Sequence, residues 1–150
     1  MVALILGCVV GACAGVALVW WRRRVRDRRE LEAYSVDAEG LYGLLNPDRL
    51  VLVFDVRQPL DLLAHSEIIP GAVRIAPKEV LSNPAIVPKE QDAVLYCTCP
   101  GDATSRSILR RVLALEFTRV KMLRGGLEGW KAKGYPVEHY DKSFRLDGAG

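Results

Sequence analysis

Apolar residues follow one another from residue 2 to residue 21 with no charge among them, and about 20 such residues in a helix cross roughly 30 Å of hydrocarbon. The pattern predicts a transmembrane anchor over residues 1–21, with Trp20 and Trp21 at its aromatic belt. Beyond it the apolar positions come in short runs. Those at 50–54 and 93–96 are unbroken and of strand length, as expected of strands buried on both faces of a parallel sheet. Stretches at 73–75 and 120–123, each carrying one charge among apolar residues, predict two more strands. Helical spacing lies between them. Leu41, Leu44 and Leu45 follow a cap at Ser35 or Asp37, and residues 59–64 make one helical stretch. Ile108, Val112, Leu113 and Leu115 form an inner face with Arg106, Arg110 and Arg111 outside, and residues 127–133 carry Trp130 into the core. Pro70 and Gly71 predict a turn, while Pro77, Pro84 and Pro88 mark irregular connections. Strands alternating with helices imply an α/β domain with a parallel sheet over residues 35–140, followed by a flexible tail at 141–150.

Charge refines this division. Six arginines (Arg22, Arg23, Arg24, Arg26, Arg28 and Arg29) crowd a basic juxtamembrane linker at 22–34. They follow the apolar stretch, so the positive-inside bias puts the C-terminal domain on the cytoplasmic side of the inner membrane. A cleaved signal peptide carries its positive charges ahead of the apolar stretch instead. The whole chain has a net charge of +3, but from residue 30 onward 15 Lys and Arg stand against 17 Asp and Glu. That balance of about −2 excludes an electrostatic claim on nucleic acid. Gly7, Gly11 and Gly15 recur at spacings of four. They either let a second helix approach, as in a homodimer, or reflect the general frequency of small residues in membrane helices.

Of the four cysteines, Cys8 and Cys13 lie in the apolar stretch, which leaves Cys97 and Cys99. Cys97 ends a predicted strand just before a predicted helix, where unpaired N–H groups and the helix dipole favour an ionised thiol. A thiolate there is placed to attack a sulfur, phosphorus or arsenic centre. The alternative is a buried cysteine acting as a small hydrophobe. Two thiolates are too few for a closed zinc site, and His65 and His139 have no ligand spacing, so neither a metal nor another cofactor is expected.

The surrounding residues resemble the rhodanese family. The carriers are Val53-Phe54-Asp55-Val56-Arg57, Ile69-Pro70-Gly71-Ala72, Leu95-Tyr96-Cys97, and Gly125-Gly126-Leu127 through Trp130 to Gly134-Tyr135-Pro136-Val137. The resemblance implies a five-stranded parallel sheet flanked by helices. It also implies a reaction that moves sulfane sulfur through a persulfide on Cys97 from a small sulfur donor to a thiol acceptor. The active loop is then Cys97-Thr98-Cys99-Pro100-Gly101-Asp102. Asp102 stands where the family often has an arginine, and Ile68 where it often has a histidine. A carboxylate within about 4 to 6 Å repels an anionic donor such as thiosulfate and raises a thiol's pKa. Arg106, one helical turn on, either replaces the missing charge or is a solvated helix residue.

Cys99 either resolves the persulfide, releasing sulfide or pairing with Cys97 in a disulfide, or is simply a small loop residue. Asp55 and Arg57 are read as ties between the sheet edge and neighbouring loops. The leading expectation is a membrane-tethered sulfurtransferase or persulfide carrier, with the N–H groups of residues 98–102 stabilising the charge on Cys97. Its rivals are a catalytically silent scaffold in a membrane complex and a phosphatase or arsenate reductase. The last is weakened because no arginine follows Cys97 before Arg106.

Overall fold

A computed structural model describes residues 2–45 and 50–140; side chains of the first helix are described from Ala14 onward, with Glu30 and Pro100 excepted. Helix α1 (Val2–Ala33) continues without a break through the arginine cluster. Among the described residues no helix is long and apolar enough to cross a membrane. The side chains of residues 1–13, which hold the first half of the expected anchor and both Gly7 and Gly11, lie outside that description. So does the expected tail at 141–150.

A second compact unit begins at Tyr34. Its elements are β1 (Ser35–Val36), α2 (Ala38–Leu44), β2 (Leu52–Asp55), α3 (Pro59–Ala64), β3 (Glu67–Ile68), β4 (Val73–Arg74) and α4 (Pro77–Ser82), then β5 (Ala93–Tyr96), α5 (Ala103–Leu113), β6 (Val120–Leu123), α6 (Gly126–Ala132) and β7 (Glu138–His139). Five strands form one sheet in the order β1-β6-β5-β2-β4, and every pairing in it is parallel. The expected five-stranded parallel sheet is therefore present.

Strand alternation sorts the core into two layers. Val53, Val94, Tyr96 and Leu123 pack with Ala38 and Leu41 of α2 and with Leu127 and Trp130 of α6. Their strand neighbours Phe54, Leu95 and Met122 are buried too and point to the opposite face, where Ile108, Leu109 and Val112 of α5 are fully buried. Continuing the alternation one residue past β5 turns Cys97 toward the α5 side.

One expectation is corrected and one open choice is settled. Pro77 opens α4 and Pro84 a 3₁₀ turn at Pro84–Ile86. Proline suits a first helical position, since its fixed φ is already helical and the missing N–H has no partner there. The N-terminal cap is Asp37, whose Oδ1 accepts from the Gly40 N–H at 2.8 Å, while Ser35 belongs to β1.

Candidate active site

The sheet order creates the site before any side chain is considered. From β2 the chain passes to β4 at one edge, whereas from β5 it passes to β6 on the other side. The loops leaving the adjacent strands β2 and β5 therefore diverge and open a crevice at their carboxyl ends, the usual location of ligands in open α/β sheets. Residues 56–58 form one of these loops. Residues 97–102 form the other.

Asp55 and Arg57 build the first wall and are both fully buried. Arg57 Nε donates to both Asp55 carboxylate oxygens at 2.9 Å, and its remaining nitrogens donate to the His65 carbonyl at 2.8 Å and the Glu67 carbonyl at 2.9 Å. The pair thus ties the end of β2 to the segment before β3, which pairs antiparallel with β7.

The cysteine loop is built on two successive left-handed residues, Gly101 (φ 63°) and Asp102 (φ 55°), a conformation that aspartate tolerates better than most residues. The turn is closed by the Asp102 N–H donating to the Cys99 carbonyl at 3.0 Å. Asp102 is itself buried, and its Oδ2 accepts from the Gly125 N–H at 3.1 Å. Its carboxylate thus fastens the loop to the turn after β6. That turn fits only glycine: a Cβ on Gly126 (φ +53°) would fall 1.9 Å from the Cys97 carbonyl oxygen. The same oxygen accepts from the Leu127 N–H at 3.3 Å.

The two sulfurs lie together over the start of α5. Cys97 is 1% exposed, Cys99 is half-buried, and their Sγ atoms are 2.9 Å apart. Both are free thiols. The Thr104 N–H donates to Cys99 Sγ at 3.2 Å, and the Thr104 hydroxyl oxygen lies 3.2 Å from the same sulfur. Ser105, one residue on, is fully buried, and its Oγ has no geometrically defined hydrogen-bond partner. That hydroxyl and the Ser105 N–H face Cys97 and favour its ionised form.

The expectation of an easily ionised Cys97 is corrected here. Burial, followed by the hydrogen bond with Cys99, holds the Cys97 thiol well above the ordinary thiol range, against the pull of Ser105. Burial also opposes ionisation of Cys99, but the bonds from Cys97 and Thr104 outweigh it and lower its pKa. The contact between the two thiols thus acts in opposite directions, raising the pKa of Cys97 and lowering that of Cys99.

The charge-stabilising groups overlap only in part with the expected ring at residues 98–102. They are the N–H groups of Cys99 and Ser105 for Cys97 and that of Thr104 for Cys99, because the Asp102 N–H is engaged within the turn. Thr98 is half-buried, Gly101 is exposed, and Arg106 is exposed on α5. Thr104 and Ser105 were not singled out from the sequence. A Thr-Ser pair in the first turn after a cysteine loop is the signal that points to them. Among the described residues no cluster of His, Cys, Asp and Glu could hold a metal ion.

Comparison with known proteins agrees with this fold. Residues 37–133 match the family described as Rhodanese-like domain. A sulfurtransferase of Allochromatium vinosum is 28% identical over 103 residues, covering 69% of this chain and 92% of that protein. The rhodanese-like domain of an Anabaena protein superposes with a TM-score of 0.60 at 24% identity, covering 75% of this chain and 84% of that one. A thiosulfate sulfurtransferase of Pseudomonas aeruginosa superposes with a TM-score of 0.56 at 24% identity, over 70% of this chain but only 19% of the larger protein.

Proposed function

The chain belongs to the rhodanese-like domain family, and we propose that it is a sulfurtransferase or persulfide carrier in which Cys97 takes up a sulfane sulfur. The observation that carries this reading is the Cys97 thiol at the topological switch point, touched by Cys99 and faced by the first turn of α5. A proton passes from Cys97 to Cys99, and Cys97 Sγ attacks the terminal sulfur of the donor. The donor's S–S bond breaks, and its electron pair leaves with the remainder as sulfite or a thiolate. The persulfide so formed spreads its charge over the N–H groups of Cys99 and Ser105 and the Ser105 hydroxyl.

The loop from Cys97 to Asp102 contains no cation, and Asp102 is held on the Gly125 turn. An organic persulfide, with one negative charge against thiosulfate's two, is the better matched donor. A catalytically silent scaffold is the second reading, favoured by the burial of Cys97. Tethering to the inner membrane with the domain in the cytoplasm is proposed on the apolar stretch at 2–21 and the arginines that follow it. Cysteine labelling from outside sealed vesicles tests that orientation.

Intact mass after exposure to thiosulfate, and separately to polysulfide, tests the chemistry. A gain of about 32 Da that Cys97→Ala abolishes and a thiol reverses supports the carrier. No adduct on wild type or Cys99→Ala, and no sulfide released, from either donor favours the scaffold instead.

A further inference from the structure

A sulfur carrier needs one reactive cysteine, yet this site holds two in contact. We propose that Cys99 completes the reaction begun at Cys97: it expels the acquired sulfur as sulfide and closes a Cys97–Cys99 disulfide, which an external thiol then reopens. The inference rests on the reading that Cys97 carries the sulfur, and it turns a transfer site into a two-electron reductase of persulfides.

Three observations carry it. The inner sulfur of a Cys97 persulfide is Cys97 Sγ itself, the atom that already lies 2.9 Å from Cys99 Sγ. The attacking and attacked atoms therefore meet without a change of fold, and such intramolecular placement greatly raises effective concentration. Next, Cys99 Sγ is held by the Thr104 N–H and lies against its hydroxyl, both at 3.2 Å, a setting that retains the thiolate needed for attack. Finally, Cys99 is half-buried while Cys97 is buried, so a thiol arriving from solvent meets the Cys99 side of the disulfide first. A bridge across one intervening residue closes a small ring and belongs with strained, readily reduced disulfides.

The step balances. Cys97–SH and Cys99–S⁻ react with a persulfide R–S–SH to give Cys97–S–SH, and the departing R–S⁻ takes the proton that had moved to Cys99. Cys99–S⁻ then attacks Cys97 Sγ; the new S–S bond forms as the persulfide bond breaks, and HS⁻ leaves with the electron pair. The products are the disulfide, R–SH and HS⁻. The sulfane sulfur has gained two electrons and the dithiol has lost two. An external thiol, by exchange through a mixed disulfide, restores the pair.

The full-length chain in detergent micelles is reduced, freed of thiol, treated anaerobically with glutathione persulfide and desalted at once. Released sulfide is measured, and Cys97 and Cys99 are mapped by alkylation and peptide mass. Wild type is expected to release about one sulfide per chain and to show the Cys97–Cys99 disulfide, whereas Cys99→Ser keeps a persulfide about 32 Da heavier on Cys97 and releases only background sulfide. Sulfur retained on either cysteine of the wild type, with no sulfide and no disulfide, overturns the inference and leaves the carrier intact. Absence of any sulfur on wild type and Cys99→Ser, with no sulfide, overturns the carrier reading itself. The wild-type arm decides the matter even if Cys99→Ser fails to fold.

Discussion

Replacing Gly126 by alanine tests whether the cysteine loop is locked by the turn after β6. Three costs add at this position. An L-residue at φ +53° bears roughly 1 to 2 kcal/mol of left-handed strain. Its Cβ would also fall 1.9 Å from the Cys97 carbonyl oxygen, against the roughly 3.5 Å of comfortable carbon contact, and overpacking of this kind costs about 1 to 3 kcal/mol. Relief of the clash pulls the Leu127 N–H from the same oxygen, a loss of about 1 kcal/mol. The expected destabilisation is about 3 to 6 kcal/mol. Gly71→Ala is the internal standard, because Gly71 is also left-handed (φ +74°) but a Cβ there meets nothing within 4 Å; it should cost only about 1 kcal/mol. Urea unfolding of the full chain in detergent gives both values, provided the dependence on denaturant is unchanged. Cysteine alkylation at low denaturant adds a local readout, expected to rise for Gly126→Ala and to stay level for Gly71→Ala. Equal costs for the two variants would refute the reasoning, since the contact with Cys97 would then not be felt.

Ser105→Ala should separate reactivity from stability. The lost hydroxyl has no hydrogen-bond partner of its own, so thermal unfolding should hold level or improve by up to about 1 kcal/mol, while sulfur loading and alkylation of Cys97 slow. The paired thiols predict a pH signature read by peptide-resolved iodoacetamide labelling. Cys99, with its lowered pKa, labels at lower pH than Cys97, whose raised pKa delays its labelling until the solution becomes alkaline. Cys99→Ala removes one cause of the Cys97 rise and should shift its labelling profile to lower pH; a shift upward would contradict the assignment. Arg57→Met leaves Asp55 buried without its partner and should cost about 3 to 5 kcal/mol in urea unfolding, with a loss below 1 kcal/mol counting against the architectural role.

Most of the scaffold was legible because its signals are local. The apolar runs at 50–54 and 93–96 became β2 and β5, and the end of the second run located Cys97. Strand β1 was hidden because it is two residues long and exists through its pairing with β6. Helix α4 was hidden because Pro77 reads equally as a break and as a first helical residue. The chemistry was less legible than the scaffold. The ionisation expected of Cys97 took account of the helix start but not of its near-complete burial. Asp102, read against the family pattern as a charge facing the sulfur, instead holds the Gly125 turn. Both depend on contacts with residues some 25 positions away, which no local pattern encodes.

That separation also sets a clock. Ribosomes add about 5 to 20 residues per second, and the groups that hold the loop, Gly125 to Leu127, are synthesised after the cysteines they enclose. For about 1 to 5 s the chain therefore holds both cysteines while their lock is still unmade. The loop closes over the thiols only once that later turn folds against it, and the finished turn acts as a seal that is set last.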